Sequence, residues 1–296
     1  MITAFRFFAG QNAVGLAQDI RTLTQAKTEI ETTDVSSQQN CLTSGEGRVR
    51  DASSPTVSPG PVPPSTGTVS PAPYCLKRDR YSSHSVILSY LRDGRGQRLL
   101  DVGAAQGDLA RLLTQRGYDV TAIEGDPGLA GTARGKCREV VVADLDRPLP
   151  DLHGPFDVVV CADILEHLKN PLGVLLQVSR LLSPDGNIIV SVPNIAHLWI
   201  RLQMCCGRFE YTERGILDGT HLRFFTLASF RRLLREAGLE ILELTATPVP
   251  LLLIVPKRYH GRVLDAVHAI NAAFARAWKT MLAYQFVAVT RRRVSA

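Results

Sequence analysis

The run Leu99-Leu100-Asp101-Val102-Gly103-Ala104-Ala105-Gln106-Gly107 joins a short apolar stretch to an acid and two spaced glycines. This pattern predicts a strand that ends in a tight turn and enters a helix. Gly103 has no Cβ, so the chain can turn there while a ligand approaches the backbone. Gly107 opens the helix, whose unpaired N–H groups and positive dipole end favour a carboxylate. Asp101, at the strand tip, suits an ammonium group. A ligand carrying both groups is an amino acid.

Two more acids close successive predicted strands. Glu124 ends the second, where it can take both hydroxyls of a ribose. Asp144, with Leu145 beside it, ends the third, where a carboxylate can accept from an exocyclic amine such as that of adenine. Each acid alone could be a solvated strand-end carboxylate; their register with the glycine turn argues for a shared ligand. The spacing Asp-x-Gly-x-x-x-Gly lacks the second glycine that brings a dinucleotide pyrophosphate onto the backbone, which disfavours NAD. An amino-acid end, a ribose and an adenine make up S-adenosylmethionine.

The surrounding pattern supplies the elements that must hold these residues. A leading helix is expected over Tyr81–Leu91. Strands follow at Gln97–Val102, Asp119–Glu124, Glu139–Ala143, Phe156–Cys161 and Asn187–Val192, with helices at Gly107–Arg116, Pro127–Gly135 and Pro171–Leu182. Helix Leu227–Ala237 and strands Leu239–Thr245 and Tyr284–Thr290 complete the series. Alternation of near-continuous apolar strands with helices predicts an α/β fold, a buried and mostly parallel sheet covered on both faces. Before the last strand, Gly261–Met281 reads as an inserted amphipathic helix striped by Val263, Val267, Ile270, Phe274, Trp278 and Met281. Residues 1–35 carry only a weak helical pattern. Residues 36–73 are rich in Ser, Thr, Gly and Pro and are expected to be a disordered linker. One domain is expected over 74–296.

From roughly Ser83 to Arg291 the chain resembles the class I S-adenosylmethionine-dependent methyltransferases. The run from Phe156 through Cys161-Ala162-Asp163-Ile164-Leu165-Glu166-His167-Leu168 resembles that family's fourth-strand motif. Leu181-Leu182-Ser183-Pro184-Asp185-Gly186 resembles the turn before its fifth strand. Asp218-Gly219-Thr220-His221-Leu222-Arg223-Phe224-Phe225-Thr226 is similar to a segment of bacterial small-molecule and surface-polysaccharide methyltransferases, akin to ubiquinone-pathway O-methyltransferases. The resemblance implies a Rossmann-like seven-stranded sheet whose last strand is antiparallel. It also implies that Asp101, Gly103 and Gly107 line the methionine end of the cofactor, with Cys161–Asp163 beside the methyl-donating centre. The family usually has glycine where Ala105 stands, and a Cβ there narrows the cofactor's approach.

Methyl transfer to a hydroxyl needs a group that takes the proton. His167, after the fourth strand, and His221, in a polar loop after the fifth, are the candidate bases, and Asp218 could orient the latter. Either histidine could instead brace its own loop. Glu166 is as well suited to bonding backbone amides as to touching substrate.

The acceptor is read only by class. Ala162-Asp163-Ile164-Leu165 stands where nucleobase amino-methylating enzymes carry an Asn/Asp-Pro-Pro-aromatic tetrapeptide, and no basic, aromatic-lined groove pattern is present, so nucleic acid is disfavoured. A small-molecule or glycan hydroxyl fits best. The formal charge of +6 is mild, and six cysteines without CxxC spacing give no disulfide framework and no metal site, as in a reducing compartment. No apolar run reaches the length needed to span a bilayer, and a cytoplasmic protein is expected. The inserted helix is expected to pack on the sheet or roof the acceptor pocket, with a dimer contact or membrane-surface docking as alternatives. A cofactor-sensing scaffold without turnover is the rival reading of the whole.

Overall fold

The computed structural model describes residues 79–293, so the expectations for residues 1–35 and the linker 36–73 lie outside the described residues. Helix α1 (Ser83–Tyr90) is capped by Ser82, whose hydroxyl accepts from the Ser85 amide. The chain then alternates β1 (Arg98–Val102), α2 (Asp108–Gln115), β2 (Asp119–Glu124), α3 (Pro127–Ala133), β3 (Glu139–Val142), β4 (Phe156–Ala162), α4 (Pro171–Arg180) and β5 (Leu182–Pro193). Asp126 and Asn170 cap α3 and α4, each with proline in the first turn, where a missing N–H costs nothing. There follow α5 (Leu198–Cys205), α6 (Leu227–Glu236) with a Thr226–Ser229 capping box, and β6 (Leu239–Thr247).

The strands form one seven-stranded sheet in the order β3-β2-β1-β4-β5-β7-β6, where β7 is Gln285–Arg292. Strands β1 to β5 pair in parallel; β7 runs antiparallel to both β5 and β6. This is the seven-stranded, Rossmann-like methyltransferase sheet with its last strand reversed. The chain grows outward from β1 through β2 and β3, then returns to place β4 on the other side of β1. Strand order therefore reverses between β1 and β4, and a crevice opens there beyond their carboxyl ends. One core layer packs α4 and α6 against the sheet, around Leu175, Val178, Phe230 and Leu234. The other packs α1 and α2, around Ile87, Ala110 and Leu113.

Helix α5 has no counterpart in the sequence reading, and two further segments differ from it. Strand β5 begins at Leu182, because Leu182 pairs with Phe156 and the Pro184–Gly186 turn is accommodated by a register shift. The insertion is broken: α7 (Leu251–Ile254), a 3-10 turn (Lys257–Tyr259), α8 (Arg262–Ala277) and α9 (Lys279–Leu282), interrupted at Trp278 by non-helical backbone. Helix α8 packs against β6, but through a side other than its apolar stripe. The buried side of α8 is His268, Ala272 and Ala275, whereas Val263, Val267, Ile270, Phe274 and Trp278 are all exposed. A buried contact fixes this rotation, since His268 Nε2 lies 2.7 Å from Asp79 Oδ2. Among the described residues, no helix is long and apolar enough to cross a membrane.

Candidate active site

A cleft of about 610 Å³ opens at the β1–β4 switch point. The β1–α2 turn forms one wall, from Asp101 through Gly103, Ala104, Ala105 and Gln106, with Glu124 beside it. Gly103 has φ +76°, and a Cβ there would come within 2.5 Å of the Ile164 side chain, so only glycine fits. At Gly107, φ +78°, a Cβ would stand 2.8 Å from that of Ala133. No side chain caps α2, so its first-turn amides are left for a ligand.

Asp101 tests whether a cationic amino acid belongs here. It is 2% exposed, and among the described residues its Oδ2 meets no hydrogen-bond donor. Burial, and secondarily the charge of Glu124, push its carboxyl up to about 7. An ammonium group in the cleft would supply both the missing donor and the missing charge. Glu124 accepts from the Ala105 amide at 2.7 Å and from the Asp126 amide at 2.9 Å. A carboxylate has about four acceptor sites, which leaves capacity for ribose hydroxyls. The residues present fit S-adenosylmethionine.

The β4 end forms the opposite lip. Asp163 takes φ +52° and is held by the hydroxyls of Ser83 (2.8 Å) and Ser191. Beyond it, Glu166, His167 and His221 gather, with ligand-type atoms within 4.8 Å of one another. The two imidazoles meet edge to face at 4.8 Å. His221 Nδ1 faces the Ile216 carbonyl at 3.0 Å, an oxygen that can only accept. His167 Nδ1 faces Thr220 Oγ1 at 3.1 Å, and that hydroxyl bonds Asp218 at 2.6 Å. These Nδ1 contacts orient both rings at the cleft. Burial first, then His221, hold His167 below the usual imidazole range. Asp218 thus reaches His167 through Thr220, and its carbonyl accepts from the His221 amide at 3.0 Å.

Asp101, Gly103, Ala105, Glu124, Asp163, His167, Asp218 and His221 all line the cleft. Four other expected cofactor contacts do not. Gly107 sits behind the turn. Cys161 is buried in the core, its thiol pushed up to about 12 by burial and then by the charge of Asp101. Leu145 is also in the core. Asp144 stands two residues past β3, its side chain 58% exposed and 3.4 Å from Arg147. The sequence reading missed Ser82, His84, Thr247, Tyr284 and Gln285, which join the cleft from both ends of the domain. No local motif marks them; the pairing of β7 between β5 and β6 brings in Thr247, Tyr284 and Gln285, and helix α1, tied to Asp163 through Ser83, brings in Ser82 and His84.

A glycine turn leading into a helix, a buried carboxylate at the β1 tip and a reversed seventh strand together form the architecture of a Rossmann-like methyltransferase domain. Residues 76–244 match the methyltransferase domain family, and the chain belongs to it, with S-adenosylmethionine as methyl donor. Among curated relatives, the ubiquinone biosynthesis O-methyltransferase of Methylococcus capsulatus is 32% identical over 154 residues, 49% of this chain and 64% of that protein. Its counterpart from Xylella fastidiosa strain M23 is 32% identical over 169 residues, covering 54% and 65%. The chain thus spans just under two thirds of the length of these two relatives. The Marinobacter nauticus counterpart is 30% identical over 192 residues, 61% of this chain and 79% of that protein. A chain of the complex between the Haloferax volcanii Trm112 methyltransferase activator and a methyltransferase shares the fold, with TM-score 0.51 and 19% identity over 73% of this chain and 91% of that one.

Proposed function

We propose that the protein methylates a hydroxyl of a small-molecule or glycan acceptor, with His221 and His167 at the reacting end of the cleft. The observation that carries this is one cleft with Asp101 on one wall and the edge-to-face His167–His221 pair on the other. When bound, S-adenosylmethionine supplies an electrophilic methyl on a cationic sulfur that leaves as a neutral thioether. Asp101 anchors the ammonium, Glu124 the ribose, and the α2 amides the carboxylate. The acceptor oxygen forms its new bond to carbon as the carbon–sulfur bond breaks, and its proton passes to an imidazole nitrogen. General-base help of this kind is worth roughly 10²–10⁴-fold. The relatives named as O-methyltransferases support oxygen over nitrogen as acceptor.

His221→Ala is expected to lower turnover at least about tenfold while leaving S-adenosylhomocysteine affinity nearly intact. Unchanged turnover would remove it from the reaction. Cofactor binding with no turnover on any acceptor would favour the scaffold reading instead.

A second reading rests on the same cluster. No metal is expected from the sequence, yet two imidazoles beside the buried Glu166 form a donor set that suits a divalent cation. Such an ion would supply Lewis-acid polarisation of the acceptor hydroxyl. Turnover abolished by chelation and restored by added divalent metal would favour this reading; turnover indifferent to chelator excludes it.

A further inference from the structure

The insertion between β6 and β7 turns its apolar side outward. Along α8, Val263 is 80% exposed, Ile270 56% and Phe274 59%, and Trp278 follows at 58%. Just before it, Leu253 and Ile254 are each 63% exposed and Tyr259 62%. The helix cannot roll these residues inward. Its opposite side is held by the buried His268–Asp79 pair, by the edge contact of His268 with Tyr81, and by Arg276 over the Tyr81 ring. A contiguous apolar strip of this kind marks an interaction surface.

Charge decides what covers it. Residues 251–282 hold five cations against one acid, Asp265; Arg276 lies over Tyr81 on the packed side, which leaves Lys257, Arg258, Arg262 and Lys279. Pairing this face with a second copy across a twofold axis would bring four cations against four. An anionic bilayer surface accepts both features, taking the apolar strip into the headgroup–acyl boundary and the cations among the headgroups. Tyr259 and Trp278, amphipathic rings at the two ends of α8, suit that boundary. At 16 residues α8 is about 24 Å long, so it lies on a membrane rather than spanning one.

We propose that residues 251–282 dock the protein on an anionic lipid bilayer, with α8 in the plane of the headgroups. Pro250 and Leu253 also line the cleft, so docking brings its mouth to the leaflet. The proposal stands on the outward strip and its charge, independently of which acceptor is methylated.

Co-sedimentation of the full chain with vesicles tests it. The protein should pellet with phosphatidylglycerol–phosphatidylcholine vesicles, should not pellet with phosphatidylcholine alone, and should be partly released by salt. The double variant Val267→Glu/Phe274→Glu, altered only at exposed positions outside the cleft, should partition about tenfold or more weakly. Its S-adenosylhomocysteine affinity should match the parent's, which separates lost docking from lost folding. Absence of wild-type binding to the anionic vesicles would overturn the proposal, as would a double variant that binds as well as the parent. A wild-type dimer that the double variant dissolves, without vesicle binding, would assign the face to a second copy and overturn it equally.

Discussion

Asp101→Asn should make the cofactor-free protein more stable and its cofactor complex weaker, with opposite dependence on pH. The folded carboxyl lies at about 7, from an ordinary 3.8, with burial the first cause and Glu124 the second. The unfolded chain titrates near 3.9. The folded state therefore holds the proton more tightly. Its contribution to stability is fully present below about pH 4 and is lost as pH rises through about 7. Three pKa units amount to roughly 4 kcal/mol of differential stability. Asparagine cannot ionise and escapes that loss, but its buried amide needs partners, an offsetting cost of about 1–3 kcal/mol. Denaturant unfolding near pH 8 should then find the variant about 1–3 kcal/mol more stable than the parent, with the gain gone near pH 4. Binding runs the other way, because the ammonium needs the ionised carboxylate. Calorimetry with S-adenosylhomocysteine should show the parent's affinity falling about tenfold per pH unit below 7, and a variant with weaker binding and no such slope. A variant no more stable near pH 8, or a parent whose affinity ignores pH, would refute the account of Asp101.

Other perturbations read other parts of the molecule. Ala105 sits at φ +48°, so Ala105→Gly should stabilise the protein by about 1 kcal/mol in thermal unfolding without weakening S-adenosylhomocysteine binding. His268→Ala leaves Asp79 Oδ2 buried without its hydrogen-bond partner and should cost about 1–3 kcal/mol; an unchanged melting temperature would mean the pair does not hold α8. Because burial and His221 lower the His167 pKa, kcat at saturating cofactor should hold its plateau to below about pH 6.5 and fall only on the acid side. A kcat that declines already above neutrality would remove His167 as the base.

The fold was legible because local pattern and tertiary role agree along most of the chain. Apolar runs such as Leu99–Val102 and Val158–Cys161 are buried on both faces of the sheet, so their composition alone marks parallel strands. One wall of the cleft was legible for the same reason. Asp101, Gly103, Ala105 and Glu124 lie within one strand–turn–helix unit and at the end of the adjacent strand, where sequence spacing sets spatial spacing. Asp144 lies outside the cleft. Strand β3 stops at Val142, and the two residues beyond it carry the carboxylate out to Arg147.

By itself the sequence determined an alternating α/β sheet, the glycine turn with its acids, and an amphipathic insertion, all properties of contiguous residues. Only the tertiary structure decided that His167, Thr220 and Asp218 form one chain of hydrogen bonds, and that Thr247, Tyr284 and Gln285 wall the cleft. It alone decided that the apolar stripe of α8 faces outward. Helical periodicity establishes that one side of a helix is apolar. Which side turns inward depends on the partners it meets, here a buried Asp79–His268 pair whose members lie 189 residues apart.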